Sequence, residues 1–181
     1  MTDAQLLALA KDAGFKAAIL PTDEIVIEPS FRPFCEENRC GKYNANYSCP
    51  PDCGTVEETT RRLRQYPHAL VLENIFEIGS YENKAKISEV RRQHNAAVLR
   101  LTDALRGAGL EGFCLGYGGC PLCDPCKRVS GDPCAFPERR ISCLSAYCIH
   151  VAKLAERCAL PFAWEQERLY LFGLFAFAAK G

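Results

Sequence analysis

Ile87, Val90, Ala97, Leu101 and Leu105 recur at three- and four-residue steps, with His94 on the same stripe. That period predicts a long amphipathic helix over residues 83–106, ended by Gly107 and Gly109. A shorter stripe of Leu6, Leu9 and Ala10 predicts a helix over residues 3–12, with Gly14 as its stop. Thr55-Val56-Glu57-Glu58 has the capping-box pattern and opens a helix running to Tyr66. Strands are expected at residues 16–20 and 24–28, punctuated by Pro21 and Pro29, and at 69–72 with 75–78, broken by a bulge at Asn74. Residues 111–117 and the apolar run 169–178 read as two more strands, and residues 142–157 as a further helix. The strand–helix–strand run across residues 69–117 makes a βαβ unit with a right-handed crossover. Together these elements predict a single-domain α/β sandwich over residues 1–181, with two cysteine-rich loops, 31–55 and 116–140, at one edge of its sheet.

Composition narrows the function classes. Lys plus Arg and Asp plus Glu balance at 22 each, so no global field draws the chain to nucleic acid. The start, Met1-Thr2-Asp3-Ala4-Gln5, lacks the basic and apolar regions of a signal peptide, and Leu169–Ala179 is too short to span a bilayer as a helix. A cytoplasmic protein without membrane partners is therefore expected. In that reducing compartment cysteines favour metal over disulfide.

The chain has 12 cysteines, and eight of them fall into two groups. Cys120, Cys123 and Cys126 form Cys-x2-Cys-x2-Cys, and Cys134 follows after seven intervening residues. This compact triplet is the spacing that wraps a cubane cluster, while a zinc ribbon wants two separated pairs. Gly118 and Gly119 permit the close backbone approach such a loop needs. The first group, Cys35, Cys40, Cys49 and Cys53, places four soft ligands within 19 residues but fits no common zinc template. Pro50 and Pro51 stiffen the backbone after Cys49. Cys114, Cys148 and Cys158 read as buried structural thiols, and Cys143 as a thiol close in sequence to the second loop. His94 reads as a hydrogen-bonded core histidine. Gly116-x-Gly118-Gly119 lacks the spacing of a phosphate-binding loop, and no nucleophile–base–acid set can be assembled.

Several of these features resemble the uncharacterised DUF2284 family of predicted metal-binding proteins. The resemblance rests on Cys35 and Cys40, on Tyr43 before Ser48-Cys49-Pro50-Pro51, on the helix and Tyr66 that follow, and on Cys120, Cys123 and Cys126. It extends through Asp132-Pro133-Cys134-Ala135-Phe136-Pro137-Glu138 to Ala146-Tyr147-x-Ile149-x-Val151. The resemblance implies metal binding, with iron–sulfur as the expected cofactor, and brings no established reaction. Two departures stand out. Many relatives lack a cysteine matching Cys53, and Ser142-Cys143-Leu144-Ser145 stands where the family usually has Pro-Ser-Met-Glu.

The leading expectation is an electron-transfer or redox-accessory protein holding two [4Fe–4S] clusters, with a redox partner protein. One alternative is an enzyme whose first site leaves iron open to a small-molecule substrate. Another is a zinc-stabilised structural or partner-binding module.

Overall fold

Thr2 and Gln5 form a reciprocal side-chain cap that starts helix α1 (Asp3–Asp12), whose Leu6 and Ala10 are buried. In this computed structural model, residues 1–179 are described. Strand β1 (Lys16–Pro21) follows, then a five-residue helix α2 (Arg32–Glu36) inside the first cysteine loop. Helix α3 (Val56–Arg64) begins with the Thr55–Glu58 capping box expected from its sequence. Next come strand β2 (His68–Glu77), the 24-residue helix α4 (Lys84–Gly107) and strand β3 (Leu110–Gly116). After the second cysteine loop come the two-residue strand β4 (Ser142–Cys143), helix α5 (Val151–Arg157) and the closing strand β5 (Arg168–Ala179).

The five strands form one mixed sheet in the order β1-β2-β5-β3-β4. Side-chain alternation divides the core. Leu70, Leu72, Phe175 and Phe177 face α1 and α4, while Ala69, Val71, Leu174 and Ala176 face α3, α5 and the segment 144–149. The result is an α/β sandwich with helices on both faces of the sheet. Gly173 in β5 lets α4 pack close, because a Cβ there would lie 2.9 Å from the Leu115 carbonyl and 3.0 Å from Val98.

The βαβ unit is present with one strand inserted into it, and three other expectations need correction. Strands β2 and β3 are both antiparallel to β5, so they run parallel to each other as a βαβ unit requires, but β5 lies between them. The unit is split because β5, buried on both faces from Leu171 to Phe177, takes the central position. Residues 24–28 form no strand. Thr22 donates its hydroxyl to the Tyr66 carbonyl at 2.6 Å and turns the chain, leaving only a single bridge, Ile27 to Ile149. Residues 142–157 are not one helix. Ser142–Cys143 pairs with β3, one helical turn covers Ser145–Tyr147, and Cys148 adopts a left-handed backbone (φ 53°) that stops it before α5 begins. β2 also runs unbroken through Asn74.

Asn74 instead serves the core polar set. Its amide donates to the Gly14 carbonyl at 2.8 Å, and its Oδ1 lies 2.9 Å from His94 Nδ1. The neighbouring Glu73 is fully buried, and neither carboxylate oxygen has a hydrogen-bond partner. Burial raises Glu73 from 4.5 to about 7, and lowers His94 from 6.5 to about 4.

These two shifts oppose each other in pH. Folded Glu73 keeps a proton that the unfolded chain releases, so its contribution is present below 4.5 and is lost as pH rises toward 7. His94 stays neutral where the unfolded chain protonates, so its contribution is lost as pH falls from 6.5 toward 4. Between about 4.5 and 6.5 they nearly cancel. Glu73→Gln should unmask the His94 slope and raise stability at pH 8 by about 1–3 kcal/mol. Urea unfolding from about pH 4.5 to pH 8 checks this, and parallel profiles for the two proteins would refute it.

Candidate metal centre

The second cysteine loop leaves the sheet at a fixed point. Asn95, buried on α4, donates Nδ2 to the Tyr117 carbonyl at 2.7 Å and accepts the Tyr117 amide at Oδ1 at 2.8 Å. The carboxamide thus replaces the pair of bonds a neighbouring strand would make at the end of β3. Gly116 is required beside it, since a Cβ there would lie 2.5 Å from Asn95 Oδ1 and 2.8 Å from Ile141. Gly118, with φ 70°, then turns the chain into the loop.

Beyond that turn Cys120, Cys123, Cys126 and Cys134 all line one cavity, together with Tyr47, Leu122, Phe136 and Arg140. The space they enclose is small, about 10 Å³, and opens to solvent. All four cysteines are half-buried. Burial raises the Cys120 thiol, and charges at Cys134 and Cys126 raise it further. Hydrogen bonds from the backbone at Ile141 and Leu122 pull the other way and favour the thiolate.

The first loop packs directly on the second. Asn46 and Ser48 are buried at 2% and 0% exposure, although both are polar. Asn46 Nδ2 donates to the Cys120 carbonyl at 3.1 Å, and the Cys120 amide donates to Ser48 Oγ at 2.8 Å. The Ser48 hydroxyl and amide both donate to Asn46 Oδ1, at 2.8 and 3.0 Å. Around this joint, Tyr47 donates its hydroxyl to the Asp132 carbonyl at 2.7 Å, and Arg128 pairs with Asp52 at 2.8 Å. Gly119 passes the first loop so closely that a Cβ there would lie 3.4 Å from Cys49 Sγ.

The four cysteines of the first loop differ in exposure. Cys49 and Cys53 are buried, Cys35 is half-buried and Cys40 is exposed. The Cys53 amide donates to the Cys49 carbonyl at 3.0 Å, so the two sit one turn apart. Arg32, from α2, donates to the Gly54 and Ala146 carbonyls and reaches Cys53 Sγ at 3.8 Å. Cys49 is pushed up to about 12, first by burial and then by charge at Cys143, with Cys40 and Cys53 adding. Cys143 therefore belongs to the surroundings of the first loop, although it follows the second in the chain. Cys148, fully buried, contacts the same Arg32, while Cys114 is a core thiol between sheet and α4. The sequence pattern assigned no role to Arg32, Asn46 or Asn95, and Ser48 stood out only within Ser48-Cys49-Pro50-Pro51. Their only signal was a polar or charged residue close to a cysteine loop or on a helix stripe.

Among the described residues, no three His, Cys, Asp or Glu side chains already converge as ligands on one metal ion. The donor chemistry fits a soft metal all the same. Four thiols border a single cavity in the second loop, and the thiols of the first loop sense one another's charge. Residues 18–176 match the family model described as predicted metal-binding protein, DUF2284. The chain belongs to this family. The match runs from β1 to β5 and so includes both cysteine loops and the sheet that carries them. No curated protein and no solved structure matches the chain. No helix among the described residues of this DUF2284 protein is long and apolar enough to cross a membrane.

The joint between the loops should be measurable. Ser48→Ala leaves the Cys120 amide without its buried acceptor, at a cost of about 1–3 kcal/mol. It should lower the denaturation midpoint and speed metal release to a chelator from the loaded protein. Unchanged stability and release would show that the two loops are held independently.

Proposed function

We propose that this DUF2284 protein is an iron–sulfur protein with one [4Fe–4S] cluster in each cysteine loop, acting in electron transfer. The observation that carries the reading is the Cys-x2-Cys-x2-Cys triplet bordering, with Cys134, a single cavity. Cys120, Cys123, Cys126 and Cys134 would hold one cluster, and Cys35, Cys40, Cys49 and Cys53 supply the thiols for the other. Such clusters supply reversible one-electron chemistry.

The chain's own residues contribute charge and shielding. Arg140 lines the cavity of the second loop and Arg32 stands against Cys53, so each places a cation beside thiolates. A nearby cation favours the more negative, reduced state of a centre. Tyr47, Leu122 and Phe136 cover the second cavity with rings and aliphatic surface, which limits water there. The hydrogen bonds joining the loops keep the two thiol groups adjacent, as transfer between two centres requires. A redox partner protein follows from this reading, because each electron must reach a cluster from a donor and leave it to an acceptor.

Protein purified without oxygen should contain about eight irons and eight acid-labile sulfides per chain and show broad brown absorption. Zinc without sulfide would overturn the reading in favour of a structural module.

One observation favours a second reading, in which the first site acts on a small substrate. Cys53 borders an open groove of about 360 Å³, lined also by Asp52, Gly54, Glu58, Arg61, Arg62 and Gln65. Under this reading Cys53→Ala keeps a cluster whose spectrum responds to added carboxylates. Complete loss of that cluster would count against it.

A further inference from the structure

Cys143 lies outside both cysteine loops in the chain, on the short strand β4. Its register opposite Gly116 of β3 brings it beside the path that continues to Gly119. Gly119 is where the chain passes Cys49 Sγ. The turn after Cys143 closes on the other end of the first loop. Cys35 Sγ lies 4.0 Å from the Ser145 carbonyl. Arg32 ties the Ala146 carbonyl, at 3.0 Å, to Cys53 Sγ, at 3.8 Å. Cys143 Sγ itself accepts the Ala146 amide at 3.3 Å, and Cys143 packs against the buried cluster that holds Cys53.

We propose that Cys143 is a ligand of the first metal site, bound to the same centre as cysteines of loop 31–55. The proposal rests on the metal-binding reading but not on the identity of the metal. On binding, the Cys143 S–H bond breaks, a sulfur–metal bond forms and the proton leaves to solvent; no electron is transferred. The first site then has five thiols within reach, one more than a cubane takes, and it spans two parts of the chain separated by the whole α3–β3 segment. Cys158, at the end of α5, has Glu24 as its charged neighbour and none of these thiols, and serves as the internal control.

The test compares wild type, Cys143→Ser and Cys158→Ser, purified without oxygen and loaded with ferrous iron and sulfide. Because four thiols of the first loop remain, Cys143→Ser should still load but lose half of its iron and sulfide, one of two clusters, to a chelator several-fold faster than wild type, while Cys158→Ser should match wild type. If wild type takes up zinc and no sulfide, the iron–sulfur reading fails on its own, and the same proteins titrated with zinc test Cys143 separately. Cys143→Ser should then bind its first-site zinc several-fold more weakly. A second measurement needs no variant. In wild type, maleimide labelling of Cys143 should slow several-fold when metal is loaded, while Cys158 labels at an unchanged rate. Metal release from Cys143→Ser at the wild-type rate, or equal Cys143 labelling with and without metal, overturns the proposal.

Discussion

The buried pair Asn46 and Ser48, hydrogen-bonded to the backbone of Cys120, is the contact on which the cysteine face depends. The two loops have little apolar surface, so burial alone cannot order them. Their backbone groups leave water only where another group satisfies them. Asn46 can serve as donor to one loop and acceptor in the other because its carboxamide carries both functions on one rigid plane. Ser48 does the same with a single hydroxyl. An interior of low dielectric makes each of these bonds costly to leave unmade, so the joint has one arrangement.

The sheet sets where that joint lies. β5 is buried along most of its length and occupies the middle of the sheet, with β2 and β3 on its two sides. Helix α4 then crosses one face and lowers Asn95 onto the end of β3. This clamp determines where the second loop starts, while α2 sits inside the first loop and α3 follows it on the face opposite α4. Arg32 completes the frame by joining the first loop to the turn after β4. The cysteine face is therefore assembled from polar contacts mounted on an apolar α/β scaffold. The same scaffold holds a buried carboxyl and a buried imidazole whose charged forms are both suppressed by desolvation.

Much of the scaffold was legible because local physics repeats along the chain. The stripe through Ile87, Val90 and Leu101 has only one way to be buried, as a helix against a sheet. Thr55 and Glu58 mark a helix start through bonds between residues three apart. Failures came where a partner far away in sequence decides the conformation. Ser142 and Cys143 have a helical neighbourhood in sequence, yet β3 offers them free backbone groups and they pair with it. Residues 24–28 alternate like a strand, but the available sheet edge ends at β1, and Thr22 turns the chain away.

The sequence by itself determined the thiol inventory, the grouping into two loops and the α/β scaffold, because spacing and periodicity act within a few residues. Only the tertiary structure decided that the two loops touch, that Asn46, Ser48 and Asn95 are structural joints, and that Cys143 faces the first loop. Those outcomes depend on strand order, on the register of β4 against β3 and on the packing of α4. Each is a choice among long-range pairings, and no local pattern encodes which partner wins.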